Sequence, residues 1–278
     1  MNFKQTLLLI SLSTFFYSVS TIAKPQRVVS LNLCADQLLM ELLEPSSLVG
    51  ITQLASDSSA SFLYKKASDF HQHNDRIEEV MALKPDLIIV GAFTSTATNQ
   101  MLDQLGYKVV KLGLPKTVEE IIQQIAFLGK QVGQPQRANK LIEAMRRDIT
   151  GLTSLNESTP DLRAVVYYAN GFSAGKETIV NEILRLAGLK NIAAETGMAY
   201  IAPLSLESLL ASKPDVLLLG RLDANTDSLA HQVLQHDAIE KLSALEQVQK
   251  ISVPDRYWSC AGPSSIAAAS YIQQSITH

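Results

Sequence analysis

The chain has 278 residues, a formal net charge of -3, 46% hydrophobic and 18% charged residues. That balance describes a globular protein with a sizeable core and excludes a disordered chain. The mild negative charge and the lack of Lys/Arg runs argue against a surface for nucleic acid or anionic lipid.

Residues 1–23 read as a cleaved secretory signal peptide. Lys4 supplies the positive charge, an apolar stretch covers 7–19, and Ser20-Thr21-Ile22-Ala23 puts small residues where a signal peptidase cuts. The apolar run is short for a membrane span, and no Cys follows it directly to carry a lipid. The mature chain is expected to start at Lys24 in a compartment where disulfides form.

Arg27-Val28-Val29-Ser30-Leu31-Asn32-Leu33 reads as a first strand, and 35–43 has helical periodicity. The strongest internal feature is a repeat. Glu78-Glu79-Val80-Met81-Ala82-Leu83-Lys84-Pro85-Asp86-Leu87-Ile88-Ile89-Val90-Gly91 returns as Glu207-Ser208-Leu209-Leu210-Ala211-Ser212-Lys213-Pro214-Asp215-Val216-Leu217-Leu218-Leu219-Gly220, at a constant offset of 129 residues (84 to 213, 91 to 220). Each copy predicts a short helix stopped by Pro, then an aliphatic strand of the kind a parallel sheet buries on both faces. Ile77, Val80 and Met81, or Leu206, Leu209 and Leu210, are expected on the buried helix face, which leaves Glu78 and Glu207 outward.

Further strands are expected at 109–112, 164–168 and 248–253, and helices at 178–187 and 264–275. Alternating strands and helices predict an α/β fold with mostly parallel sheets. Between the halves, 118–132 reads as an amphipathic helix, and Pro135 opens a second with Ala138, Leu141, Ile142, Met145, Ile149 and Leu152 at helical spacing. The expected division is an N-terminal α/β lobe over 24–134, a connecting backbone helix over 135–156, and a C-terminal α/β lobe over 157–278. These are two Rossmann-like lobes joined by a long rigid helix, with a ligand cleft between them. A rod of roughly 20 residues, about 30 Å, would limit how far the lobes close.

Arg27-Val28-Val29-Ser30-Leu31, the Leu-Lys-Pro-Asp-Leu turn at 83–87 and the rod between lobes resemble the helical-backbone class of periplasmic binding proteins, which serve ABC importers for vitamin B12, ferric siderophores and haem. Asn170-Gly171-Phe172-Ser173-Ala174-Gly175-Lys176-Glu177-Thr178, continuing through Asn181, Leu184, Gly188, Asn191 and Ile192, is most similar to the vitamin B12-binding branch. The resemblance implies a periplasmic, monomeric, non-catalytic protein without a resident cofactor. Its ligand would be a cobalt corrinoid or ferric chelate, with haem as an alternative, and its partners the transmembrane subunits of an importer. It also implies that Glu78 and Glu207 dock on permease arginines, a contact suited to charge-assisted pairs.

Ligands of α/β sheets bind beyond the carboxyl ends of the strands. That rule, with the resemblance, selects loops near 32–36, 91–96, 169–172 and 256–262. Asn32, Phe93, Asn170, Phe172, Tyr200, Arg256, Tyr257 and Trp258 are the candidate ligand-binding residues, the aromatic ones as walls and the polar ones for the ligand's edges. Tyr168 and Asp255 are further candidates. The loop Asn32-Leu33-Cys34-Ala35-Asp36 is not the Ser-Pro-rich version usual in the B12-binding branch, and Trp258 is the only Trp. Corrinoid, ferric siderophore and haem therefore stay open.

Cys34 and Cys260, the two cysteines, fall in loops expected near the cleft. In an oxidising compartment they read as one disulfide, which would staple the cleft floor if each lobe supplies one partner. The alternative is a redox or metal-ligand pair in an exported enzyme. His71 and His73 read as solvated loop histidines rather than metal ligands. Gly171 to Lys176 only superficially resembles a phosphate loop, because three residues rather than four separate its glycines and Glu177 follows the Lys.

Overall fold

The computed structural model describes residues 24–156, 161–168, 171–221 and 248–276; the signal-peptide segment 1–23 lies outside them. The first half contains β1 (Val28–Ser30), α1 (Leu33–Leu42), β2 (Leu48–Thr52), β3 (Gln72–His73), α2 (Ile77–Ala82), β4 (Leu87–Val90), α3 (Thr96–Gln104) and β5 (Val109–Lys111). Its strands form one parallel sheet in the order β3-β2-β1-β4-β5. Every residue of β4, Leu-Ile-Ile-Val, is buried, as expected of an aliphatic strand covered on both faces.

The second half contains β6 (Arg163–Tyr167), β7 (Phe172–Ala174), α6 (Ile179–Leu186), β8 (Lys190–Asn191), α7 (Ile192–Glu195), β9 (Ile201–Pro203), α8 (Leu206–Ser212), β10 (Val216–Arg221), β11 (Gln249–Pro254) and α9 (Pro263–Ser275). Its main sheet is also parallel, in the order β11-β10-β6-β8, while β7 and β9 form a separate antiparallel pair.

The sequence repeat is reproduced in three dimensions. Lys84 and Lys213 both take left-handed backbone conformations, φ 46° and 47°, as the Pro that follows each keeps it out of the right-handed helical region. The turn then aims an Asp carboxylate back at the first strand of its own half. Asp86 accepts the backbone N–H groups of Gln26 at 2.8 Å and Arg27 at 3.1 Å, and Asp215 accepts that of Arg163 at 2.7 Å. Arg27 and Arg163 return the link by donating to the carbonyls of Leu83 and Ser212, the residues just before the left-handed Lys in each copy.

Between the sheets lie α4 (Val118–Gln131) and the 22-residue α5 (Pro135–Asn156). They turn at Gly133, which is left-handed at φ +65°, and cross closely at Gly129, where a Cβ would stand 2.4 Å from that of Ala138. Met145 and Leu152 of α5 are buried in one apolar cluster with Leu38 and Leu39 of α1 and Ile266 and Ile272 of α9. Gln273 of α9 also donates to the Leu152 carbonyl at 3.1 Å. The two halves therefore share a core through the rod. No helix among the described residues is long and apolar enough to cross a membrane.

Three local expectations need correction. The first strand stops at Ser30, because Asn32 caps α1 by accepting from the backbone N–H groups of Cys34 and Ala35. Met81 is 38% exposed rather than buried, since six-residue α2 turns only Val80 fully inward. His73 is buried on β3 rather than solvated. Its Nδ1 lies 3.1 Å from the backbone nitrogen and 3.3 Å from the carboxylate of Asp75, and its Nε2 lies 2.9 Å from the Ser30 carbonyl. His71 is exposed, as expected.

Candidate functional site

A cavity of about 390 Å³ opens where the two halves face each other. From the first half it is lined by Asn32 and Cys34 after β1, by Gly91, Ala92 and Phe93 after β4, and by Leu112 to Lys116 after β5. The second half supplies Glu177, Thr178 and Ile179 at the start of α6, Tyr200 and Ile201 at β9, and Trp258, Ser259 and Ala261 after β11. Three loops of the first sheet thus follow the rule that ligand sites form beyond strand carboxyl ends.

The walls are apolar and exposed. Phe93 is 81% exposed, Tyr200 61%, Ile201 59% and Leu114 55%, although each carries a large apolar side chain. Exposed apolar surface gathered on facing walls of a concave site marks a binding surface. Local chemistry holds these walls in shape. Gly91 is required because a Cβ there would be 2.4 Å from the Asn32 side chain, and Gly175 because one would be 2.1 Å from the Met198 carbonyl. Thr178 caps α6 and donates to the Gly175 carbonyl at 2.7 Å, while Asn191 donates to the Ala174 carbonyl and to Asn181. Thr178, Asn181 and Asn191 thus serve as the scaffold of this wall.

Of the residues proposed from sequence, Asn32, Phe93, Tyr200 and Trp258 line the cavity together. Trp258 is 8% exposed, with its ring edge-on to Tyr168 and its Nε1–H donating to Asp255. Asn32 spends its side-chain oxygen on the α1 cap. Phe172, Arg256 and Tyr257 are not among the lining residues. Tyr257 packs against Phe62 and Tyr271, both at 5.3 Å between ring centroids, and Arg256 donates to the Ser58 carbonyl and lies over the Tyr257 ring. Both therefore join the halves away from the cavity. Phe172 starts β7 half-exposed, opposite Pro203 of β9. Asn170 lies outside the described residues.

The loop 112–116, the segment 177–179 and Ile201 escaped the sequence reading. Applying the strand-end rule to β5, followed by Gly113 and Pro115, would have found the first. The other two depend on how α6 and β9 are placed.

Further polar links cross from half to half. Lys116 Nζ lies 3.2 Å from Glu177 Oε2 and 5.3 Å from the centre of the Tyr200 ring. The Glu177 hydrogen bond holds the Lys116 ammonium above its usual range. The backbone N–H of Val118 donates to Glu182 at 3.4 Å. Glu182 also pairs with Arg185, whose hydrogen bond keeps its carboxyl low. The Cys34–Cys260 disulfide makes a covalent link, with Cα atoms 5.2 Å apart. It joins the first turn of α1 to the loop before α9 beside the cavity.

In the first turn of α1, Asp36 is fully buried and accepts the Thr52 hydroxyl at 2.5 Å, with its other oxygen unpartnered. Burial pushes its carboxyl up to about 7, against the smaller opposing effects of the Ser30 and Thr52 hydroxyls. No cluster of three His, Cys, Asp or Glu side chains among the described residues would hold a metal ion.

A family model described as periplasmic binding protein matches residues 28–257. The chain belongs to that family. A "Cobalamin-binding protein" of Halobacterium salinarum is 27% identical over 214 residues, which cover 74% of this chain and 58% of the relative. The chain thus spans little more than half of that relative's length. A "Vitamin B12-binding protein" of Vibrio cholerae is 24% identical over 221 residues, 75% of this chain and 76% of the relative. Among solved structures, a periplasmic heme-binding protein of Roseiflexus sp. RS-1 in apo form superposes with a TM-score of 0.72 at 24% identity, over 90% of this chain and 98% of that one. That likeness shows a common fold.

Proposed function

We propose that this chain is the periplasmic substrate-binding component of an ABC importer, and that it captures a metal chelate, a cobalt corrinoid or ferric siderophore, between its two lobes. The observation that carries this reading is the set of large apolar side chains left exposed on both walls of one cavity, Phe93 and Leu114 opposite Tyr200 and Ile201. A flat or rounded chelate with apolar flanks would cover them. The ligand would bring its own metal with its own donors. The relatives named as cobalamin-, vitamin B12- and heme-binding support that ligand class.

In this reading the signal peptide 1–23 exports the chain, which acts as a monomer. The rod 135–156 holds the lobes 24–134 and 157–278 at a nearly fixed angle, because its buried residues belong to a core common to both. Glu78 and Glu207 would be the permease-docking residues. Both are exposed in the first turn of a short helix, at equivalent points of the repeat. The Glu207 carboxyl is held low by its own backbone N–H and by the Ser205 hydroxyl, which keeps it charged. Calorimetric titration of the mature chain with cyanocobalamin, ferrichrome and haemin tests the proposal. Saturable one-to-one binding of one of them is the expected result; absence of binding to all three would reject the ligand class.

A further inference from the structure

We infer that the Lys116–Glu177 pair sets the charge preference of the cleft, so that it favours chelates whose buried face is electrically neutral and disfavours anionic ones. The inference rests on the cleft being the ligand site, as proposed above, and goes on to the kind of chelate it accepts.

Among the described residues that line the cavity, Lys116 and Glu177 are the only charged ones, and they face each other at 3.2 Å from opposite halves. The rest of the lining is apolar or carries neutral polar groups. An unpaired Lys in such a wall would be an anion site, since a charge beside low-dielectric surface acts more strongly than one in water. Glu177 cancels it. Glu177 also stands one residue before Thr178, the cap of α6, where its negative charge opposes the partial positive charge of the helix end. Both sources of attraction for an anion are thereby neutralised at one point. Glu120 accepts the Lys116 backbone N–H from outside the cavity and adds negative charge nearby.

Geometry strengthens the argument. Lys116 is carried by the loop after β5 and Glu177 by the segment after β7, so the pair forms only when the two walls face each other. Each side chain is about two-fifths exposed, which places the pair where the cavity meets solvent. A ligand that spans both walls must lie against the pair. Covering a mutually satisfied ion pair costs far less than covering a lone charge. The Tyr200 ring under the Lys116 ammonium holds it in place and adds a neutral aromatic surface beside it.

The test is a comparison of two chelates by calorimetry, neutral cyanocobalamin and anionic ferric dicitrate, on wild type, Glu177→Gln and Lys116→Met, with melting temperatures confirming that the variants fold. Wild type is expected to prefer cyanocobalamin. Glu177→Gln should move the ratio of dissociation constants about tenfold toward ferric dicitrate, as expected for uncovering one unit charge at a partly exposed site. Lys116→Met should move it the other way. The ferric dicitrate affinity gained by Glu177→Gln should weaken with added salt. A wild-type preference for ferric dicitrate, or a ratio that Glu177→Gln leaves unchanged, would overturn the inference while leaving the cleft as the ligand site. Binding of neither chelate to wild type would overturn the inference, and the ferrichrome and haemin titrations proposed above would then decide the ligand class separately.

Discussion

Cys34 and Cys260 stand 226 residues apart in the chain and 5.2 Å apart between Cα atoms, joined by a disulfide that ties α1 to the loop before α9. Bonding residues so distant removes much of the freedom of the unfolded chain. Cys34→Ser with Cys260→Ser is therefore expected to lose about 2–5 kcal/mol of stability. Urea unfolding with and without a reducing agent checks this. Wild type should fall to the variant's midpoint on reduction, and the variant should not respond.

Asp36 gives the fold a pH dependence of calculable sign. Its carboxyl titrates near 7 in the folded chain against an ordinary value of 3.8. Between those values the folded state holds a proton that the unfolded state has released. Stability therefore falls as pH rises through this window and levels off above it, by a few kcal/mol at most. Asp36→Asn, which resembles the protonated form, should lose this dependence. Urea midpoints at about pH 5 and about pH 8 measure it. Equal pH dependence in wild type and variant would show that Asp36 is not the cause.

Tyr200 and Trp258 both line the cavity, yet they call for different experiments. Trp258 is almost wholly buried, so Trp258→Ala should cost about 3–5 kcal/mol of stability along with any ligand contact. Tyr200 is mostly exposed. Tyr200→Ala is expected to weaken chelate binding about tenfold, an effect of the size of one aromatic contact, with the melting temperature nearly unchanged. An unaltered dissociation constant would remove Tyr200 from the site.

Glu78 and Glu207 are expected to matter only to delivery. Charge reversal at both, Glu78→Lys with Glu207→Lys, should abolish ligand uptake by cells carrying the importer. Ligand affinity of the purified chain should stay within twofold of wild type. Loss of affinity in the double variant would contradict a role confined to the surface.

The legible parts of the fold were those with period or repetition. Aliphatic β4 and β10, the Lys-Pro-Asp turns and the apolar stripe of α5 all announce themselves within a short window. Strands β3 and β8 have two residues each and carry no period, so they exist only because a neighbouring strand pairs with them. Arg27 and Arg163 play one role in the two halves but stand 136 residues apart (27 to 163), not 129, so their equivalence is hidden by a shifted spacing. Within the site, Tyr257 and Trp258 are adjacent in sequence. The single 3₁₀ turn Asp255–Tyr257 sends the first toward Phe62 and Tyr271 and the second into the cavity wall. Lys116 and Glu177 are 61 residues apart and meet only once both halves are folded and placed. Such pairs are products of tertiary packing, and no local pattern marks them.

Hydrogen-exchange footprinting with and without a saturating chelate, cyanocobalamin first, tests the central claim most directly. A ligand held in the cleft between the halves should slow exchange in 112–116 on one wall and in 176–179 and 200–201 on the other, in the same experiment. Protection confined to one half, or appearing only away from the cavity, would contradict it.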